Sequence, residues 1–327
     1  MFHRFFMALI FTTMAFGSQR AANDTVIIDH DGDVDDLVAI TLVLRSSGVH
    51  VRAITVCPAD SYLEPATKAT QLFLARLGGE NITVAQGHSE GINPFPDAWR
   101  KDAARVLTIS ALAGIHPAAT NPLAKEDAAH YLAKLLSGRQ GYTILETGPL
   151  TNIADALRLD PSIKRNIRRI YVMGGAVRVA GNVDRPGHDG SAEWNFFNQP
   201  QAAAAVVGSG VAITLVPLDA TNKVPLTRRF LDQLGTQSSA TSQLAVQAWR
   251  LASNQPGTDQ YYFWDTLTAA IMLDPSIATM ENLRITVSTT GVSQGRTRED
   301  SRGNPVQVAV DARQDRVERL FLDVLGR

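Results

Sequence analysis

The chain has 327 residues, of which 45% are hydrophobic and 19% are charged, so it can bury a substantial core as one large or two smaller domains. Its formal net charge of -1 gives no reason to expect a nucleic acid polymer or an anionic membrane as a partner. The single cysteine, Cys57, excludes an internal disulfide framework and a thiolate zinc cluster. We interpret Cys57 as a small buried residue.

Residues 1–22 are predicted to be a secretory signal peptide rather than part of the fold. A weakly basic start precedes an apolar run over residues 5–16 that is too short to span a bilayer comfortably, and Ala15-Phe16-Gly17 resembles a small-x-small cleavage site. An N-terminal anchor is the alternative. We therefore expect residues 23–327 to form the mature domain in a bacterial periplasm or outside the cell, without membrane attachment once the signal is removed.

The first strand of the mature chain runs into a turn crowded with carboxylates. The β-branched run Val26-Ile27-Ile28 is typical of a buried parallel strand, and a helix is predicted to begin near Asp35. The acids therefore lie at the carboxyl end of a strand, where open α/β sheets bind ligands. Like charges this close raise one another's pKa, so a hard cation such as Ca²⁺ or Mg²⁺ is the natural partner. The acids are Asp29, Asp31, Asp33, Asp35 and Asp36.

Three other interpretations of this turn are possible. An EF-hand loop fits poorly, because Gly32 is at the fourth position from Asp29 instead of the sixth, and Ile40 stands where the closing Glu is required. A solvated acidic turn disagrees with the apolar run beside it. A phosphotransfer site built on Asp-x-Asp would need a cationic phosphate clamp and further acids elsewhere in the chain.

Strands and helices alternate along the rest of the sequence. The predicted strands after the first cover residues 49–56, 82–85, 142–146, 170–173 and 211–217, with further strands between 283 and 310. Helices are predicted over residues 35–46, 64–77, 125–136, 201–207, most of 226–252, 261–273 and 315–325. This alternation with short loops predicts an α/β fold with a doubly wound, mostly parallel sheet flanked by helices, in a single large domain.

Polar residues and glycines follow several of these strands. Asp60 follows the second, Thr147-Gly148-Pro149-Leu150-Thr151-Asn152 the strand that ends at 146, and Gly174-Gly175 the strand that ends at Met173. The two glycines permit a close backbone approach to a ligand. Farther along, Glu193 and Asn195 alternate with aromatic residues, so they would share one face of an extended segment.

Two aromatic segments complete the set of candidate site residues. Trp99 lies in a proline-rich, loop-rich region over residues 87–122, where it is either a hydrophobic anchor or a platform for a flat ligand. Tyr261-Tyr262-Phe263-Trp264-Asp265 opens a helix, and Asp265 could be a mere cap of that helix. The polar residues 254–260 before it are predicted to form a mobile lid.

Taken together, these motifs resemble the calcium-dependent nucleoside hydrolases, the inosine–uridine-preferring nucleoside hydrolase family, over nearly the whole mature chain. The chain looks most like the purine-specific inosine–adenosine–guanosine branch, because of Asp29-His30-Asp31-Gly32, of Asn93-Pro94-Phe95-Pro96 leading to Trp99, and of Trp264 directly before Asp265, where other branches carry His. Asp33 departs from that branch, which has Asn there. The resemblance implies the nucleoside hydrolase fold, a nucleoside as substrate, and a homodimer or homotetramer.

The resemblance implies a role for each matching residue. Ca²⁺ would be bound by Asp31, Asp36, Asp265 and the backbone carbonyl of Thr147, and Asp31 would also be the general base toward the attacking water. The ribose 2′- and 3′-hydroxyls would be bound by Asp35 and Asn195, and the 5′-hydroxyl side by Asn182 and Glu193. Met173 would line the sugar pocket, and Trp99 and Trp264 would sandwich the purine. Asp60 and Tyr261 would lie near the substrate.

The expected reaction is hydrolysis of the N-glycosidic bond of purine ribonucleosides to free base and ribose. Such cleavage passes through an oxocarbenium-like state, which an acid-rich site stabilises electrostatically. Because no His precedes Asp265, stacking on Trp99 and Trp264 would raise the basicity of the purine so that solvent can protonate it. The alternatives are a broad-specificity hydrolase, a calcium-dependent nucleoside-binding protein with little turnover, and a phosphatase with Asp29 or Asp31 as nucleophile.

Overall fold

A nine-stranded sheet forms the centre of the computed structural model, which describes residues 24–115, 122–138, 141–253 and 260–327. The strand order is β3-β2-β1-β4-β5-β6-β9-β7-β8. The strands are β1 (Asp24–His30), β2 (Val49–Val56), β3 (Thr83–Gln86), β4 (Tyr142–Glu146), β5 (Ile167–Met173), β6 (Ile213–Val216), β7 (Ala278–Val287), β8 (Thr297–Glu299) and β9 (Asn304–Ala312).

The sheet is parallel from β3 through β6 to β9, and β7 and β8 add an antiparallel edge. The predicted doubly wound, mostly parallel α/β domain is therefore confirmed. From β1 the chain builds outward through β2 to β3, and it then returns to place β4 on the other side of β1. The strand order thus reverses between β1 and β4, and open α/β sheets bind ligands in the crevice outside such a reversal.

Helices cover both faces of the sheet. Alternate residues of β1 serve the two faces, since Val26 and Ile28 belong to one buried apolar cluster and Ile27 to the other. The helices are α1 (Val34–Arg45), α2 (Leu63–Leu77), α3 (Asp102–Val106), α4 (Ala128–Ser137), α5 (Thr151–Leu159), α6 (Trp194–Asn198), α7 (Pro200–Val207), α8 (Leu218–Thr221), α9 (Arg228–Gly235), α10 (Ala240–Ser253), α11 (Trp264–Leu273) and α12 (Gln314–Leu325).

The predicted elements differ from the structure at several places, and helices α5 and α8 were not predicted. The extended segment expected at Glu193 and Asn195 is wrong, because the Glu193 carboxylate accepts the backbone N–H groups of Asn195 and Phe196 and so caps α6. The long helix expected over residues 226–252 is divided into α9 and α10. The loop-rich region contains a 3₁₀ turn that begins at Trp99, followed by α3.

Two predicted segments lie outside the described residues, namely the signal peptide over residues 1–22 and most of the lid, residues 254–259. The export of the protein therefore stays a prediction. Within the described ranges, each helix is too short or too polar to cross a membrane.

Gly32 holds the acidic turn against α2 and should tolerate no side chain. Its φ is +89°, and a Cβ there would lie 2.3 Å from Cβ of Ala66. Gly32→Ala should therefore lower the free energy of unfolding by about 2–4 kcal/mol, combining left-handed strain with overpacking. Gly48 is the matched control, because its φ is +80° and nothing lies within 4 Å of a Cβ there. Urea unfolding would measure both variants, and equal losses would contradict the steric argument.

Candidate active site

Four predicted carboxylates meet in the crevice between the ends of β1 and β4. Asp31 follows β1, Asp35 and Asp36 lie in the first turn of α1, and Asp265 lies in the first turn of α11. Each is at most 5% exposed. The Asp36 carboxyl is in hydrogen-bond contact with those of Asp31 and Asp265, and Asp265 also contacts Asp35. Asp265 is the second residue of α11, so it is not the cap of that helix.

The crowding of these acids makes their ionisation costly. Burial raises the pKa of Asp35 to about 6, and the nearby Asp36 charge adds to the rise. Burial and the Asp36 charge also raise the pKa of Asp31 well above its ordinary value, and burial and the Asp35 charge do the same for the pKa of Asp265. Two carboxyls in contact must share a proton, because two carboxylates would repel each other. A divalent cation can take the place of such protons.

The chemistry of this donor set fits a hard divalent cation. Among the described residues, no three His, Cys, Asp or Glu side chains already form a metal cage. The donors nevertheless are all oxygens, they carry several buried charges, and no thiolate or imidazole is among them. Such a set suits Ca²⁺ or Mg²⁺ rather than zinc or copper. Binding an ion would require the carboxyls to turn from each other toward it.

Asp36 is the most firmly held of the acids. Its Oδ2 accepts the backbone N–H groups of Gly32 at 2.9 Å and Asp33 at 2.8 Å, and its Oδ1 accepts the hydroxyl of Thr147 at 2.5 Å. Thr147 follows β4, so this one carboxylate joins the turns on the two sides of the strand-order reversal. The Thr147 carbonyl, a predicted ligand, accepts the Asn195 Nδ2–H at 3.1 Å.

A second buried layer lies behind the acidic turn, and the family resemblance assigned it no role. Asp29 Oδ1 accepts the Thr55 hydroxyl at 2.7 Å and the Asn152 amide at 2.8 Å. Burial raises the pKa of Asp29 to about 6, and burial and the Asp29 charge raise the pKa of Glu146 well above its ordinary value. Asn152 is the last residue of the polar motif that begins at Thr147. That motif was the sequence signal from which this layer could have been found.

Glu193 is the N-terminal cap of α6, and Asn195 lies in the first turn of that helix, next to the end of β5. The Glu193 carboxylate accepts N–H groups from Gly175 at 3.0 Å, Asn195 at 2.9 Å and Phe196 at 3.2 Å. Asn195 Nδ2 lies 3.5 Å from the Met173 sulfur. The close approach at Gly174 is to α6, since a Cβ there would lie 2.5 Å from the Phe196 ring. Glu193 thus fastens α6 to the turn after β5 and brings Asn195 to Met173.

Asp33, which the resemblance left without a role, has one in the structure. It precedes α1 as its N-terminal cap residue in extended conformation, with φ −71° and ψ 177°. Its Oδ2 accepts the Tyr261 hydroxyl at 3.3 Å, which ties the acidic turn to the segment before α11. Asp60 also joins this group, because its backbone N–H donates to Asp31 Oδ2 at 3.1 Å.

The two predicted stacking residues lie in different aromatic groups. Trp264 is half-buried, packs on Met173, and has its ring centroid 4.8 Å from that of Tyr261. Trp99 is 45% exposed, and its centroid is 5.3 Å from that of Trp194 and 6.4 Å from that of Phe95. Trp264 therefore contacts Met173 directly, whereas Trp99 contacts Trp194, the neighbour of Glu193 and Asn195.

Comparison with known proteins assigns the class that this fold and site define. The model of the family described as inosine-uridine preferring nucleoside hydrolase matches residues 26–319. The chain belongs to that family, so it is a hydrolase acting on N-glycosyl compounds, in a family that is metal-dependent.

Relatives with different preferences are similar to this chain. An inosine-uridine preferring nucleoside hydrolase structure from Bacillus anthracis is 38% identical, with a TM-score of 0.87 over 93% of this chain and 99% of that one. The probable uridine nucleosidase 1 of Oryza sativa subsp. japonica is 28% identical over 86% of both chains. A purine-preferring ribonucleoside hydrolase structure from Gardnerella vaginalis is 25% identical, with a TM-score of 0.77 over 93% and 98%.

Removing divalent ions should make stability fall as the pH rises. Because the pKa of Asp35 is about 6 in the folded chain and about 4 when unfolded, folding favours the protonated acid, and this stabilisation is lost as the pH rises through about 6. The melting temperature in chelator should thus be lower at about pH 7.5 than at about pH 5. Adding Ca²⁺ should raise it more at the higher pH.

Asp265→Asn provides the matched control for that measurement, because it removes one charge from the cluster and leaves the shape of the side chain. In chelator, this variant should lose less stability with rising pH than the wild type, and it should gain less from the ion. A wild-type melting temperature that is independent of pH in chelator would contradict the repulsion argument.

Proposed function

We propose that the protein hydrolyses purine ribonucleosides to free base and ribose with Ca²⁺ at the acidic turn. The observation that carries this proposal is the contact of the buried carboxyls of Asp31, Asp36 and Asp265 beside Thr147, whose hydroxyl donates to Asp36 Oδ1. The three carboxyls and the backbone carbonyl of Thr147 are the ligands that the family resemblance implies. A bound Ca²⁺ would supply a Lewis acid that makes water more acidic and attracts the ribose hydroxyl oxygens.

Asp31 is the proposed general base. Water oxygen bonds to the anomeric carbon of ribose as the bond from that carbon to the purine nitrogen breaks, and Asp31 takes the proton from the water. The backbone N–H of Asp60 already occupies Asp31 Oδ2, and this donor holds the orientation of the carboxylate. Its charge and those of its neighbours stabilise the positive charge that develops on the ribose.

The ribose is proposed to lie between Asp35 and Asn195. Asp35 is buried beside Asp265, and Asn195 is held at the Thr147 carbonyl and Met173. Both side chains can therefore bind the 2′- and 3′-hydroxyls next to the cation ligands. On the other side, Asn182 Oδ1 accepts the Trp194 backbone N–H at 3.1 Å. This bond leaves the Asn182 Nδ2 group to donate to the 5′-hydroxyl.

The leaving purine is proposed to stack on Trp264 and to be protonated by solvent. Phe263 and Trp264 precede Asp265, so that place offers no imidazole. His30, beside the acidic turn, is no substitute, because burial lowers its pKa to about 3 and its Nε2 is bonded to Thr70. Trp264 instead offers an indole that packs on Met173, next to the proposed ribose site.

Purine preference is supported by residues of the base side and by one relative. Trp99 and Trp264 give two large aromatic surfaces, and a bicyclic base gains more from stacking than a pyrimidine does. The similar Gardnerella vaginalis protein is described as purine-preferring. The similar rice protein is described as a probable uridine nucleosidase, so a broad preference is the alternative outcome of substrate assays.

Asp31→Asn should remove nearly all turnover, because the amide cannot accept the proton of water. We expect kcat for inosine to fall at least about 100-fold. Asp33→Asn, a matched change two positions along the same turn, should cost less than about tenfold, since an amide oxygen can still accept the Tyr261 hydroxyl. Ribose release in the presence of Ca²⁺ measures both variants. A near-wild-type rate for Asp31→Asn would overturn the base assignment, and no ribose from the wild type would favour a binding protein.

Trp264→Ala should affect substrates according to how much help their leaving group needs. Loss of base–aromatic stacking, worth about 1–3 kcal/mol, should reduce the rate on inosine roughly 5- to 150-fold. A nitrophenyl riboside, whose leaving group needs no protonation, should lose much less. Trp264→Phe keeps an aromatic face, so its rate on inosine should lie between those of the wild type and Trp264→Ala. Equal losses on both substrates would contradict a role of Trp264 in leaving-group activation.

A further inference from the structure

Trp194 stands between two parts of the site that the proposed function treats as separate. It is the first residue of α6 and is only 4% exposed. Its backbone N–H donates to Asn182 Oδ1 at 3.1 Å, and its indole Nε1–H donates to the Asn182 backbone carbonyl, also at 3.1 Å. One residue therefore fixes both the main chain and the side-chain orientation of Asn182.

The other side of the Trp194 ring supports the base platform. The ring centroid of Trp99 lies 5.3 Å away in an edge-to-face arrangement at 70°, which is a favourable geometry for aromatic pairs. Since Trp99 is 45% exposed, its contacts with Trp194 and Phe95 are what define its orientation. Phe95 itself lies 5.1 Å from Trp194, so the platform is built on Trp194.

Arg185 closes this arrangement over the indole. Its guanidinium carbon lies 5.3 Å from the ring centre of Trp194, and its NH2 group donates to the Pro94 carbonyl at 2.8 Å. The loop that carries Asn182 is thereby joined to the loop that leads to Trp99. Both loops contact the same indole, one at its edge through a hydrogen bond and the other by ring packing.

We propose that Trp194 is a positioning residue that couples recognition of the base at Trp99 to recognition of the 5′-hydroxyl at Asn182. This inference rests on the proposed function, in which those two residues contact the nucleoside. A nucleoside that places its base on Trp99 and its 5′-hydroxyl on Asn182 contacts two residues that Trp194 holds in place. Its two ends are then recognised together, so a loss at one end weakens the other.

Trp194→Phe tests the coupling, because it keeps a ring in the core and removes the Nε1–H donor. Loss of one such bond should lower kcat/KM for inosine about tenfold, while 5′-deoxyinosine should lose less than about twofold. Trp249→Phe is the matched control. Trp249 is a fully buried tryptophan packed on Phe263, and among the described residues its Nε1 has no hydrogen-bond partner. That variant should lose the same small factor on both substrates.

Mutant cycles supply the second measurement. Asn182→Ala lowers kcat/KM for inosine by some factor. If Trp194 couples the two ends, that factor should be at least about fivefold smaller when Trp194 is already Phe than in the wild type. The same should hold for the factor that Trp99→Ala causes. If the loss of kcat/KM in each double mutant equals the product of the two single-mutant losses within about twofold, the sites are independent. That result would overturn the proposal. Arg185→Ala, a change nearer the surface, should reduce the same coupling in the same direction and guards against misfolding of Trp194→Phe.

Hydrogen exchange separates failure of the coupling from failure of the proposed function. The backbone N–H groups of Asn182 and Val183 donate to the Ala192 carbonyl, so they report directly on the loop that Trp194 holds. Trp194→Phe should speed their exchange, and Trp249→Phe should not. Wild-type protein that releases no ribose from any nucleoside would refute the proposed function, and unchanged exchange in Trp194→Phe would refute the positioning role in either case.

Discussion

Repulsion among buried carboxylates is the constraint on which this structure depends. Asp31, Asp36 and Asp265 are brought into contact in a crevice from which water is largely excluded. Their charges are unfavourable to one another and to the burial that the fold imposes. A sheet, two helix N-termini and the turns after β1 and β4 hold them there. The folding energy of the surrounding core offsets this electrostatic cost, and a divalent cation can recover it.

The fold orients these carboxylates with backbone groups as much as with side chains. Asp36 is oriented by two backbone N–H groups and the Thr147 hydroxyl, and Glu193 by three backbone N–H groups. These donors come from turns fixed by the strand ends, so the geometry of the site follows from the sheet. Side chains that bind such donors lose little freedom when a ligand arrives, which favours preorganised recognition.

The sequence predicted the sheet well because its strands carry apolar runs or alternating apolar residues between clear turn signals. β2 and β4 begin and end at the predicted residues, where glycine, proline or charged residues break the pattern. The acidic turn was equally visible, because five aspartates lie within eight positions. Local pattern failed where partners distant in sequence decide, since the Glu193 carboxylate also accepts the N–H of Gly175 and the contact of Asp33 depends on Tyr261.

The path of the chain has a consequence for when the acidic site can form. Asp265 reaches the acidic turn from α11, which packs against α1. The turn is made near the start of the chain and α11 near its end, so the carboxylate cluster cannot assemble until most of the polypeptide has been synthesised. Earlier, the same aspartates are ordinary solvated acids with weak cation affinity. Only chains in which α11 has docked against α1 therefore present the complete set of carboxylates.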